Sequence, residues 1–179
     1  AILPDYSNFH FMVDGEQHFQ MSSKKEDLVG QMKVRGSIDN DLLYQSFKLQ
    51  LKHDAITDSL NKVKALKPSD TALLSRVDAE IKKMLNERKQ QLTEFQKKYP
   101  NAFYTKFKTA GQNPELIEIR KPNGELDRER QLELFRQSFW DNVDFTDLRL
   151  LRTPVISNKL KRFILELTPQ HPDSIIRQA

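Results

Sequence analysis

The sequence has no cysteine. Thiolate catalysis, disulfides and cysteine-ligated metals are therefore excluded within this chain, whatever a neighbouring domain does. A long uncharged apolar run is also missing, so no transmembrane helix is expected. The opening AILPDYSNFHF has no initiator Met, no basic stretch and no signal-peptide apolar core, which points to a processed or excised chain and leaves localisation open from targeting evidence. Phosphate-binding glycine loops, the G-x-S-x-G nucleophile turn and the nicotinamide fingerprint do not occur. Four histidines, His10, His18, His53 and His171, are too dispersed for a linear metal motif.

What is present is a charged, helix-forming chain of 179 residues, long enough for a real core. The net charge of +4 comes from 29 basic and 25 acidic residues. Runs such as KKED, NERK and DRER set opposite signs side by side; that is a mixed solvated surface rather than a phosphate-binding stripe, and no nucleic-acid partner is expected.

The chain is organised around Leu74 to Tyr99. Leu74, Val77, Ile81, Leu85, Leu92, Phe95 and Tyr99 follow spacings of three and four, with Arg88 in the one gap. That is a single apolar stripe on a helix of about 26 residues, a rod of roughly 40 Å. Such a rod needs a partner along its apolar face, since propensity alone leaves a helix marginal. The segment before it qualifies. From Asp39 to Leu66, Leu42, Leu49, Ile56, Leu60 and Val63 form one stripe, with Leu43, Phe47 and Leu51 beside it and Ser46 and His53 in the same seam. Lys67-Pro68-Ser69-Asp70 joins the two, and so short a connection forces an antiparallel hairpin.

Ahead of the hairpin, Phe9–Val13 and His18–Met21 flank Asp14-Gly15, the pattern of a β-hairpin, and Gln31–Arg35 offers a third short strand. Gly36-Ser37 closes this part, with Ser37 as the cap of the first helix. Beyond it, Pro100 stops the second helix, Asn101–Ala110 forms a short helix ended by Gly111, and 111–126 is a linker with one anchored side. Helix four starts near Asp127. Thr153-Pro154 opens a fifth helix whose expected face is Ile156, Leu160, Phe163, Ile164 and Leu167. Pro172-Asp173-Ser174 begins a last helix.

The fold class expected is mainly α: a long antiparallel helical hairpin with shorter C-terminal helices and a small antiparallel β portion at the N-terminus. The expected division is a small or remnant β portion over 1–36 and a helical domain over 37–179. Within the latter, the hairpin spans 39–99, the short helix 101–110, the linker 111–126 and the C-terminal helices 127–179.

Three groups of side chains invite a chemical reading. Asp141, Asp144 and Asp147 recur every third residue, but no glycine or late glutamate stands in register for a calcium loop, so caps, turns or a pair with Arg149 or Arg152 are expected and no metal. Glu80, Glu87 and Glu94 lie seven apart. Without any Glu-x-x-His motif they read as a solvated edge pairing with Lys83, Arg88 and Lys98. His53 reads as a satisfied seam residue, and Arg88 as snorkelling or paired with a carboxylate. The third group is Phe139, Trp140, Phe145, Arg149 and Arg152. Tryptophan and arginine are typical interface anchors, so these five are interface candidates, with Trp140 open to an intrachain core role as well. No catalytic or cofactor-binding residue is identified, and no cofactor is expected.

The stretch from Phe139 to Ser174, with WDNVDF, DLRLLRTPV, NKL and PQHPDSI, resembles the helical domain of uncharacterised function found ahead of a thioredoxin-like domain in Bacteroidetes envelope proteins. VRGSIDNDLLYQSF is similar to the junction where those proteins pass from a small β-sandwich into their helices. The resemblance implies a thiol-disulfide oxidoreductase of the cell envelope, periplasmic or attached to the outer membrane, often exported as a lipoprotein and similar to those of cytochrome maturation. Any membrane tether would come through lipidation of the precursor. In that family the catalytic Cys-x-x-Cys belongs to the thioredoxin-like domain, and no matching residue exists here, so no catalytic role is carried over. The chain is then expected to be a non-catalytic accessory region. Its partners would be the C-terminal thioredoxin-like domain, absent from this chain and expected beyond Ala179, and a client protein. The alternative is a stand-alone envelope module binding a ligand, peptide or glycan.

Overall fold

Ser37 sets the start of the longest element. Its backbone is extended, at φ −145° and ψ 114°, and its Oγ accepts from the Asn40 amide at 3.3 Å, which satisfies a donor that a helix start leaves unpaired. In the computed structural model, which describes residues 8–15, 18–67 and 69–168, helix α1 runs over Ile38–Leu66 with Asp39 and Asp41 in its first turn, where the helix dipole favours negative charge. Just before it, Gly36 takes φ +81°, and a side chain there would meet the His18 carbonyl at 3.1 Å. Only glycine makes that turn without strain.

Helix α2, Thr71–Lys98, is capped by Asp70, whose Oδ1 accepts from Leu73 N at 3.0 Å, and it stops before Tyr99-Pro100. Short helices α3 (Phe103–Ala110), α4 (Arg128–Gln137) and α5 (Pro154–Arg162) follow, with a 3-10 turn at Leu148–Arg152 and a π turn at Phe163–Leu167. Thr153 caps α5 ahead of its first-turn proline. The protein is thus mainly α, with α1 and α2 as an antiparallel hairpin and one small two-stranded antiparallel sheet among the described residues. The chain gathers into two compact units, Ala1–Thr105 and Lys106–Ala179, and the division falls inside α3. The helix expected from Pro172 lies outside the described residues.

In the first unit, β1 (Gln20–Ser22) pairs with β2 (Lys33–Arg35), Met21 opposite Val34. The expected hairpin of Phe9–Val13 with His18–Met21 is not the one that forms. Residues 9–13 belong to neither strand, because their backbone is engaged by side chains of α1; part of the connecting turn lies outside the described residues.

The hairpin seam also departs from the expected stripe. Val77, Met84 and Phe95 are buried on α2, whereas Ile81, Leu85 and Tyr99 are exposed. The expected stripe holds at Val77 and Phe95, but between them the facing helix covers the neighbouring positions Met84, Glu87 and Gln91 instead. Polar seam residues fill the middle. Ser46 Oγ donates to Gln91 Oε1 at 3.2 Å, and His53 meets Glu87 at 3.0 Å.

The second unit is built on aromatic packing. Phe135, Phe139 and Leu167 form its core, with Trp140 and Phe163 against them. Phe139 is fully buried and packs edge-on to Trp140 at 5.3 Å between ring centroids.

The seam position separates two neighbouring substitutions. Met84→Ala should cost about 2–5 kcal/mol of unfolding free energy through the cavity it leaves. Leu85→Ala should stay within roughly 0.5 kcal/mol. Chemical denaturation of both variants checks the pair, and equal losses would restore the stripe read from spacing alone.

Candidate functional site

The second unit presents exposed apolar side chains beside charged ones, on a surface whose shape is set by turns. Ser138 Oγ donates back to the Leu134 carbonyl at 2.8 Å as α4 ends, so Phe139 and Trp140 leave the helix and fold over the core. Asp144 then accepts from the Thr146 amide at 3.0 Å. Asp147 caps the 3-10 turn through Arg149 N at 3.2 Å and receives Arg149 Nε at 2.8 Å and Nη2 at 2.6 Å. Lys106 Nζ bridges the two carboxylates, at 3.0 Å from Asp144 and 3.4 Å from Asp147.

These contacts define the electrostatics. The Arg149 guanidinium, with its amide and Lys106, holds the nearly buried Asp147 carboxyl well below the usual carboxylate range. Asp144 is lowered by Thr146 and Lys106. Lys106 is raised in return, chiefly by Asp144. Caps, turns and an Arg149 pair are therefore where the structure places these aspartates, and no group of metal-ligating residues occurs among the described residues.

With the turn fixed, three large apolar side chains face solvent. Phe145 is 63% exposed, Leu148 71% and Leu151 67%. Leu148 and Leu151 sit three apart in a 3-10 turn, where side chains eclipse, and so form one ridge. Phe145 lies against Trp140 at 5.7 Å, and the exposed Arg152 ends the ridge.

The five candidates from the sequence thus separate. Phe139 is core, Trp140 is half-buried between the core and Phe145, Phe145 and Arg152 are exposed, and Arg149 is committed to Asp147. Lys159 was not among them. It occupies the buried position on α5 where Leu160 was expected, while Leu160 is exposed. Its Nζ lies 4.5 Å from the centre of the Phe139 ring, 5.9 Å from that of Trp140, and 2.8 Å from the Gln112 carbonyl, to which it donates. Burial pushes its pKa down, helped by Arg162. The signal for it was present: lysine four residues before Phe163 continues the Phe163–Leu167 face backward.

In the first unit, His53 is buried and satisfied. Arg88 Nε donates to its Nδ1 at 3.1 Å, and its Nε2 faces Glu87 at 3.0 Å, so the two partners assign the tautomer with Nε2 as donor. Glu87 is lowered by His53 and then Lys52. Glu80 and Glu94 do pair along α2, with Lys83 and Lys98. Glu87 turns instead across the seam to Lys52 and His53 and does not belong to a solvated edge with Arg88. The other functional-looking pair missed in the sequence is Asn40 and Tyr44. Both are buried on α1 and hydrogen-bonded to residues 10–12.

Two pH dependences follow. Asp147 has a folded pKa below its unfolded value, so the unfolded chain binds the proton first as the solution is acidified; the stabilisation is complete above about pH 5 and is lost progressively below that. Asp147→Asn should unfold less steeply with acid, and should cost about 1–3 kcal/mol at neutral pH, in denaturant titrations across that range. Lys159 is also depressed, and the linkage has the same sign in a higher window: burial of the cation costs stability at neutral pH, and stability rises with pH from its folded value up to the ordinary lysine range. Lys159→Met should abolish that alkaline rise in thermal melts.

Comparison of the chain with protein-family models, with curated proteins and with solved structures finds no match in any of the three.

Proposed function

We propose that this chain is a non-catalytic accessory region of a cell-envelope thiol-disulfide oxidoreductase, which positions the thioredoxin-like domain or presents its clients. The observation that carries the interaction part is the ridge of Phe145, Leu148 and Leu151 beside half-buried Trp140. Clustered exposed apolar side chains next to tryptophan and arginine are the makeup of a protein contact. The partner's identity rests on the resemblance carried by Phe139–Ser174. The lack of cysteine supports the division of labour, since thiol chemistry has to reside in another domain.

A second reading, an envelope module that binds a ligand or peptide, is favoured by a groove of about 400 Å³ in the first unit. It is lined by Ile38, Asp39, Lys98, Tyr99, Asn101 and Phe103. Its mixed apolar and charged walls suit a small amphipathic ligand.

The test uses the precursor that contains this chain. It should encode a downstream Cys-x-x-Cys. Replacing Phe145, Leu148 and Leu151 together by serine should slow disulfide exchange with clients, or weaken docking of the redox domain, by about tenfold or more, as expected when a central contact patch is lost. Far-UV circular dichroism should be unchanged. A precursor without a redox domain, or a triple variant with unaltered exchange and docking, sinks this reading and favours the groove.

A further inference from the structure

The first unit holds part of its own chain as though it were a bound peptide. The Asn40 carboxamide grips Met12 from both sides of its backbone: Met12 N donates to Oδ1 at 2.7 Å, and Nδ2 donates to the Met12 carbonyl at 2.8 Å. One helical turn on, Tyr44 Oη donates to the His10 carbonyl at 2.9 Å. The spacings match because two residues of extended chain advance about 6.6 Å and four residues of helix about 6 Å. Carbonyls two apart also point to the same side of an extended chain. An i, i+4 pair on α1 thereby reads a j, j+2 pair of backbone groups, running antiparallel.

The cradle is pre-set. Asn40 Nδ2 donates its second hydrogen to Ser37 Oγ at 2.9 Å, which fixes which end of the carboxamide offers oxygen and which nitrogen. Asn40 and Tyr44 are both fully buried, and Tyr44 is braced edge-on by Phe47 at 5.5 Å. The side chains of the held segment are less enclosed than its backbone partners: His10, Phe11 and Val13 are exposed, Phe11 at 43% and Val13 at 63%, while Phe9 and Met12 are half-buried and Phe11 packs against Phe9 at 6.2 Å and Phe19 at 6.0 Å.

From this we infer that Ser37, Asn40 and Tyr44 form a recognition site for extended polypeptide, read through its main chain and occupied in the resting protein by residues 10–12. The occupant it would exchange for is an extended segment of a partner protein, apolar in composition like residues 9–13 and held in register by its main chain. Main-chain hydrogen bonds supply the hold in such strand capture, and the internal segment acts as a plug. The inference concerns the first unit only, and it stands or falls separately from the ridge of the second.

The experiment titrates a fluorescently labelled peptide, NFHFMV capped at both ends, into the full chain and into its Met12→Pro variant. Proline removes the amide hydrogen that Asn40 accepts, which loosens the plug and leaves α1 intact. A site freed of its internal occupant gains apparent affinity by the inverse of the fraction previously open, so binding by anisotropy should tighten about tenfold or more in Met12→Pro. A scrambled peptide of the same composition should bind within about threefold, and one N-methylated at the methionine should lose about tenfold or more, since only the main chain is read. Asn40→Ala in the Met12→Pro background should bind none of them. The inference is overturned if Met12→Pro keeps its helical circular dichroism yet binds no peptide, or if scrambling abolishes binding. Should Met12→Pro fail to fold, the wild-type chain decides the matter at millimolar peptide. Movement of the Asn40 side-chain amide resonances supports exchange, and their constancy overturns it.

Discussion

The first turn of α1 depends on one constraint: backbone hydrogen-bonding groups taken out of water must find partners. Three polar side chains near its start, Ser37, Asp39 and Asn40, meet that constraint for three separate pieces of chain. Ser37 Oγ caps the helix itself. Asn40 takes both backbone groups of Met12. Asp39 Oδ1 accepts the Tyr104 amide at 2.7 Å, at the start of α3. These are contacts over 28 and 65 positions of sequence, made by residues whose nominal role is to begin a helix. A buried donor left without its acceptor costs about 1–3 kcal/mol, so each of these polar groups is fixed by what it satisfies and no apolar residue can replace it. The burial of the turn follows from the same fact, since only a covered turn can hold Asp39 and Asn40 within hydrogen-bond reach of other backbone.

The far half of the hairpin is under a weaker constraint. On α1 no residue beyond His53 is buried, and the seam there is closed mainly from the other side, by Val77 and Met84 of α2. Its register is set by the polar pairs nearer the base. An apolar stripe accepts sliding by a turn at modest cost, whereas Ser46 with Gln91 and His53 with Glu87 meet in only one alignment. His53 is the better lock, because both ring nitrogens are used: Nδ1 accepts from Arg88, the residue after Glu87, and Nε2 faces Glu87 itself. Arg88, the break in the apolar spacing, is thus part of the seam's polar centre.

What could be read in the sequence was what local chemistry dictates. Ser37 and Thr153 cap the helices expected of them, Pro100 and Gly111 mark ends, and the hairpin follows from two long periodic segments with a short connection. What could not be read was whatever depends on the partner face. Spacing alone cannot tell Met84 from Leu85, or Lys159 from Leu160, because neighbouring stripes on a helix differ by about 100° and tertiary packing chooses between them. The strand pairing was missed for a related reason. Phe9–Val13 alternates like a ladder strand, but its backbone partners are side chains on a helix, and alternation carries no information about that. Of the surface candidates, Trp140, Phe145 and Arg152 were legible as a cluster, and an aspartate pair with Arg149 or Arg152 was expected; that the pair would be Asp147 with Arg149, and that Phe139 would lie at the centre of the core, was not.

The exposure of Phe145, Leu148 and Leu151 has a structural origin that bears on how such a surface works. Asp147 is fixed by Arg149 and Lys106, Asp144 by Thr146, and Leu150, the residue between the two exposed leucines' neighbours in the turn, is buried. The turn therefore has one side anchored inward and its ridge directed outward. Trp140 is held between Phe139, Phe163 and Phe145 by ring contacts of 5.3 to 5.8 Å. Apolar groups presented on so constrained a turn lose little conformational freedom when they are covered, and that saving is what separates a surface that binds from one that is merely greasy. The charge around the ridge works in the same direction. Arg149 is neutralised by Asp147, Lys106 is paired with Asp144 and Asp147, and Lys159 is folded beneath the aromatic rings, while Arg152 at the end of the turn is exposed. A partner covering Phe145, Leu148 and Leu151 would meet the exposed Arg152 guanidinium at the end of the turn, where a carboxylate can remain partly solvated.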